Sequence, residues 1–238
     1  MTGRSDILFV PDRPFCTLAI ELFRQFRPDS EIEKVARDGR PKAHFERFRD
    51  RRLGLVVSFL FPFRVPKYIL ESADLAVNFH PGSADYPGYG CFNFALYEGA
   101  AEYGGVCHEM YESFDAGPIF AEQRFPILQT HTVETLQFRT WVVLLNMLHD
   151  FLCDYERKGS FSEVATWSRK PFRKRDLDDI TTISPGMPEE EVSRRRRATD
   201  YPGFSRSGRT DGRQQKVAQK SALDVPLVDR LWMQATKN

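Results

Sequence analysis

The sequence lacks any surplus of charge. Its 238 residues carry 34 Lys and Arg against 33 Asp and Glu, a formal net charge of +1. Such a balance gives no general electrostatic reason to expect nucleic acid or a membrane surface as partner. Cysteine is scarce: Cys16, Cys91, Cys107 and Cys153 are scattered, without the paired spacing of a zinc or disulfide framework. Buried thiols in a reducing compartment are the simple reading. The opening residues, MTGRSDILFVPDRPF, hold no apolar run long enough for a signal peptide or a membrane span, so a cytoplasmic location is expected. Internal repeats are absent. What the chain does have is 41% hydrophobic residues with aromatics spread throughout, enough for one large domain, or one plus a small appendage.

Read in order, apolar runs alternate with helical patterns. Residues 6–10 (DILFV) end at Pro11-Asp12 and suit a first strand. Leu18, Leu22 and Phe26 then recur at helical spacing. Residues 31–36 are a weaker second strand, and 41–52 read as an amphipathic helix with Phe45 and Phe48 on its apolar side. The run 53–60 (LGLVVSFL) is nearly continuous, as a central parallel strand should be. A short helix to about Ser72, a strand at 75–77 and a helix over 92–98 follow. Residues 120–127 alternate like an edge strand, and Thr132 caps a helix running to Lys158 with Leu136, Val143, Met147, Leu148 and Phe151 buried. The pattern predicts an α/β fold: a doubly wound, mostly parallel, Rossmann-like sheet with a small C-terminal extension. The expected divisions are 1–160 for the catalytic domain, 161–204 for the extension and 205–238 for a flexible tail. Glu189–Glu191 followed by Arg194–Arg197 reads as a short helix, acidic at its start and basic at its end, which accounts for the arginine run without a phosphate ligand.

The densest group of residues able to do chemistry lies between Asn78 and Ile119. Alternation puts Asn78 and His80 on one side of a strand end, with Phe79 on the other, and Pro81-Gly82 stops the strand. Residues 105–108 (GVCH) form a second short strand leading into an acidic turn that ends at Asp115. Ligands in open α/β sheets bind at the carboxyl ends of strands. An amide, an imidazole and a carboxylate meeting there can serve acyl transfer to an amine. Asn78 and a protonated His80 can donate to the developing oxyanion, where one donor is worth roughly 3–4 kcal/mol. Asp115 can hold the imidazole charged and relay protons. Ser83 is close by but lacks a Gly-x-Ser-x-Gly elbow. On spacing alone, turn caps and satisfied polar groups are the commoner explanation of the three residues.

The ordered motifs Asn78-Phe79-His80-Pro81, Gly105-Val106-Cys107-His108 and Asp115-Ala116-Gly117-Pro118-Ile119 resemble those of the folate-dependent formyltransferases. The likeness is closest to the sugar-nucleotide N-formyltransferases and extends coarsely over residues 6–204. It departs from the family pattern at Gly82-Ser83, where the family has Pro-Ser, at Cys107, where it has Thr, and in a loop one residue shorter. The resemblance implies Asn78, His80 and Asp115 as the catalytic trio and 10-formyltetrahydrofolate as co-substrate, with no metal. Phe61, Phe63 and Arg64 would hold the pterin together with Tyr111, Glu112 and Ser113.

Among acceptors, a tRNA is disfavoured because the chain ends without room for the basic barrel of the tRNA enzymes. The purine enzyme's glycine-rich phosphate loop has no counterpart in Val10-Pro11-Asp12-Arg13-Pro14. A nucleotide-linked amino sugar remains, with dTDP-4-amino-4,6-dideoxyglucose the first expectation and glycan biosynthesis the setting. Arg64, Lys67 and Tyr201 would touch the pyrophosphate and Asn93 the sugar. Trp167 and Phe172 are read as buried rather than base-stacking. A homodimer is the suggested assembly. A folate-dependent formyl hydrolase and a non-catalytic binding module are the alternatives.

Overall fold

The computed structural model describes residues 4–36 and 39–201. The expectation of a flexible tail from Ser205 onward lies outside them. Six strands form one sheet: β1 (Ser5–Pro11), β2 (Glu31–Val35), β3 (Leu53–Phe59), β4 (Ala73–His80), β5 (Glu102–Glu109) and β6 (Ile119–Pro126), in spatial order β2-β1-β3-β4-β5-β6. The first four pair in parallel, linked by α1 (Cys16–Phe26), α2 (Lys42–Glu46) and α3 (Lys67–Ser72). Beyond β4 the sheet becomes mixed, since β5 runs antiparallel to both β4 and β6. A parallel return needs a crossover over the sheet face. Residues 81–101 supply a loop and only the seven-residue helix α4 (Cys91–Tyr97), which packs on helices rather than crossing the strands.

Alternation along the strands fills two layers. Leu8, Val10, Val57, Val77 and Phe79 face α1 and α5 (Val133–Lys158), where Phe23, Trp141, Leu144 and Leu148 meet them. Ile7, Phe9, Val56 and Ala76 face the other way, onto Phe45, Phe48, Phe61 and Ile69. The long helix starts as expected: the Thr132 hydroxyl accepts the Thr135 N–H and the Thr135 side chain answers on the Thr132 N–H. It stops at Gly159, whose φ of 65° suits a residue without Cβ. The helix expected over 41–52 is much shorter, at five residues. Tight turns follow it, with Asp50 at φ 60°, and they still deliver Phe48 edge-on to Phe9.

The segment after residue 160 shares the core. Phe161 stacks on Phe151 at 4.6 Å, and α6 (Lys174–Thr181) and α7 (Glu189–Thr199) bury Leu177, Ile180 and Ala198 against α4. Helix α6 puts Leu177, Ile180 and Thr181 on one face, and its neighbour α4 supplies the buried partner. In α7 the arginines act structurally. Arg194 and Arg195 pair with Glu191, and Arg195 also donates to the carbonyls of Asp179 and Thr182.

Candidate active site

Strand β4 ends beside two different neighbours, β3 on one side and the reversed β5 on the other. Ser58 of β3 lies opposite Asn78 and donates its hydroxyl proton to Asn78 Oδ1 at 2.7 Å. That bond fixes the amide's orientation and turns Nδ2 toward His108 on β5, 3.1 Å from its Nε2. His108 Nδ1 donates to the Glu109 carbonyl at 2.7 Å. Two residues past Asn78, His80 points its Nδ1 at Asp115 Oδ2, 3.4 Å away, and donates from Nε2 to the Tyr86 carbonyl at 2.9 Å. Asp115 Oδ1 lies 3.3 Å from His108 Nε2. The carboxylate therefore sits between two imidazoles, with the Asn78 amide alongside.

The aspartate arrives on the turn after β5, as expected: the chain leaves β5, turns, and closes on itself through the Glu109 N–H to the Pro118 carbonyl. Asp115 occupies φ 44°, a left-handed conformation that Asp tolerates better than most residues. The Gly88 N–H donates to its Oδ2 at 2.6 Å. Burial pushes the Asp115 carboxyl up, but the His80 imidazole, the His108 ring and the Gly88 N–H outweigh it and hold the group well below the ordinary carboxylate range. It is therefore ionised at neutral pH.

In this centre the imidazoles and the carboxylate are buried, while Asn78 is half-buried. His80, His108 and Asp115 are 5%, 2% and 7% exposed, and two open clefts, of about 490 and 320 Å³, lie elsewhere, along α2–α3 and between α1 and α5. Residues 165–172 run across it as a strap. Ala165 bridges to Ile119, the Ser168 N–H donates to the Ala84 carbonyl, and Gly88 and Phe172 form a bridge. Gly88 has φ 87°, and a Cβ there would lie 2.5 Å from the Phe172 carbonyl oxygen. Gly88→Ala is thus expected to cost about 1–2 kcal/mol for the left-handed backbone alone, plus displacement of the strap. Urea denaturation measures it, and an unchanged midpoint with unchanged activity would contradict the packing described.

His108 is the site residue that sequence reasoning passed over. It stood in a quoted motif, but as the last position of a strand rather than as a chemical group. Its signal was alternation: Cys107 is in the core facing α5, so His108 faces the opposite side with Val106. Of the residues expected to hold a pterin, Phe61 is core, 5.4 Å from both Phe9 and Phe63. Phe63 is half-buried at that cluster's rim, and Arg64, Tyr111, Glu112 and Ser113 are exposed. The two expected segments do meet, since the Arg64 guanidinium lies 4.6 Å over the half-exposed Phe114 ring. Among the expected substrate contacts, Lys67 is exposed beside Glu71. Tyr201 donates to Gln137 Oε1 at 3.1 Å. Asn93 is buried and donates to the Ala198 carbonyl at 2.6 Å, tying α4 to α7. Phe172 stacks on Phe94 at 3.8 Å, and both it and Trp167 are half-buried rather than buried. The four cysteines are free thiols, three of them buried. Among the described residues no cluster suited to a metal ion occurs, and no helix is long and apolar enough to cross a membrane.

Residues 44–148, which include Asn78, His80, His108 and Asp115, match the family model described as formyl transferase. A curated relative, methionyl-tRNA formyltransferase of Streptococcus sanguinis (strain SK36), is 32% identical over 138 residues, covering 57% of this chain and 41% of that protein. The chain thus spans well under half the length of that relative. Among solved structures, a sugar N-formyltransferase from Shewanella sp. FDAARGOS_354 superposes with a TM-score of 0.70 at 16% identity, over 84% of this chain and 90% of that one. An N-formyltransferase from Helicobacter canadensis, solved with folinic acid and dTDP-3-aminofucose, gives 0.67 at 16% identity, over 82% and 80%. Identities this low speak for the fold alone. The region that builds the site is a formyl transferase domain, and the resemblance to folate-dependent formyltransferases read from the motifs is borne out. In fold, the chain resembles the sugar N-formyltransferases among the solved structures.

Proposed function

We propose that the protein is an N-formyltransferase that moves the formyl group of 10-formyltetrahydrofolate to the amine of a nucleotide-linked amino sugar. The observation that carries this reading is the ionised Asp115 held between His80 and His108, beside the oriented Asn78 amide, inside a formyl transferase domain. Asn78 Nδ2 and His80 Nε2 are the N–H donors for the carbonyl oxygen as negative charge grows on it. Asp115 orients the His80 ring through Nδ1 and with it relays the proton that the attacking ammonium must shed. The half-exposed Phe114 and Tyr111, the rim residue Phe63 and the exposed Arg64 present rings and a cation beside the Asp115 turn, which fits a flat pterin better than the buried Phe61 does.

The acceptor is the finer part of the reading. Likeness in fold to sugar N-formyltransferases supports an amino sugar, with dTDP-4-amino-4,6-dideoxyglucose tested first and a 3-amino sugar close behind. A tRNA acceptor is the second reading, favoured by the curated relative that shares the domain. Incubation with 10-formyltetrahydrofolate and a panel of dTDP- and GDP-amino sugars, with methionyl-tRNA alongside, separates them. A mass gain of one formyl group on a sugar nucleotide is expected. Formylation of the tRNA alone would overturn the sugar assignment, and formate release indifferent to every amine would make the protein a hydrolase.

A further inference from the structure

The strap that crosses the site contributes one large ring to it. Trp167 stands edge-on to both imidazoles, its centroid 5.8 Å from that of His80 at 76° and 5.1 Å from that of His108 at 83°. Its indole N–H donates to the Gly117 carbonyl at 2.9 Å, so the ring is pinned to the same turn that carries Asp115. Both histidines are nearly inaccessible while Trp167 itself is half-buried, which puts the indole between them and solvent. Ala84, Val106 and Ile119 complete an apolar patch beneath it.

Each polar group of the centre has its partner inside the protein: Asn78 with Ser58 and His108, His80 with Tyr86 and Asp115, His108 with the Glu109 carbonyl. The two imidazoles and the carboxylate of that network are buried, and Asn78 is half-buried. This matters because an activated formyl carbon is open to attack by water as well as by an amine. Amine attack forms a C–N bond, breaks the bond from the formyl carbon to N10 and returns a proton to that nitrogen, giving a formamide and tetrahydrofolate. Water attack breaks the same bond but forms a C–O bond, giving formate and tetrahydrofolate. Oxyanion donors serve both, so the choice rests on which nucleophile reaches the carbon.

We propose that Trp167 is the water barrier of this centre, the residue that makes it a transferase rather than a formyl hydrolase. The inference rests on the proposed function for its chemistry, whereas the shielding itself is a property of the fold. Two readouts keep them apart. The first is modification of individual histidines by diethyl pyrocarbonate, followed by peptide mass spectrometry, with the exposed His149 and the half-buried His44 as internal standards. In the native protein His80 and His108 should react far more slowly than these two. Trp167→Ala should speed both by roughly tenfold or more, while Trp167→Phe, which keeps a ring but loses the bond to Gly117, should fall between. The second is the ratio of formate to formamide with 10-formyltetrahydrofolate and the accepted amine. Trp167→Ala should raise it by roughly tenfold, and adding Asn78→Ala should lower both products by about 10²–10³-fold.

Faster histidine labelling with no product of either kind in any variant would leave the barrier standing and remove the proposed reaction. Unchanged labelling and an unchanged product ratio in a Trp167→Ala protein with native circular dichroism would overturn the barrier. A fall in formamide and formate in parallel would also overturn it, because a merely structural role predicts that result.

Discussion

His80→Ala is expected to lower kcat for formyl transfer by roughly 10²–10⁴-fold, and Asn78→Ala by about 10²–10³-fold, with donor binding nearly unchanged in both. The expectation follows from where the groups sit. Asn78 Nδ2 is aimed by the Ser58 hydroxyl, and His80 Nε2 is an N–H donor already directed at an oxygen, the Tyr86 carbonyl. A reacting formyl oxygen would take over such donors as its charge develops, so their loss falls on kcat more than on KM. The two losses should not add, because both substitutions disturb one network around Asp115. Single-turnover rates with a titration of the donor by fluorescence separate the terms. Near-native rates in both variants would remove the centre from the mechanism.

Asp115→Asn should cost both activity and stability. The carboxylate is buried against two imidazoles and a backbone N–H, and removing one partner from such an arrangement typically costs about 3–5 kcal/mol. The asparagine can accept the Gly88 N–H with its oxygen, but its NH₂ then faces His108 and the negative charge between the two imidazoles is lost. The pH dependence carries a definite sign. Because the folded protein holds the Asp115 carboxyl below its unfolded value, the stabilisation is complete above the unfolded pKa of about 4 and disappears as pH falls through the lower folded one. Wild type should therefore lose stability on acidification more steeply than Asp115→Asn, and the two should converge at low pH. Parallel urea midpoints across pH 3–7 would contradict this assignment of the acid limb.

Some residues announced their place and others did not. The parallel strands were legible because β1 and β3 are buried on both faces and so read as continuous apolar runs. Asn78 and His80 were legible because alternation is a local rule and the proline after them marks where the strand must end. The direction of β5 was not, since it depends on where α4 finds a partner, and that partner lies in helices α6 and α7, some eighty residues further on. Phe61 and Asn93 show the same limit at single positions. A phenylalanine after a strand and an asparagine in a helix are equally good as ligand contacts or as packing, until Phe9, Phe45 and Ala198 are seen to be their partners.

The sequence by itself determined the alternating strands and helices, the capped long helix and the identity of the amide, imidazole and carboxylate, because propensity, alternation and side-chain chemistry act within a few residues. Only the tertiary structure decided that β5 runs backward, that His108 joins the trio, that Asp115 reaches them through a left-handed turn, and that Trp167 closes over both histidines. Those outcomes are contacts between segments from 7 to about 90 residues apart, settled by which surfaces can be buried together.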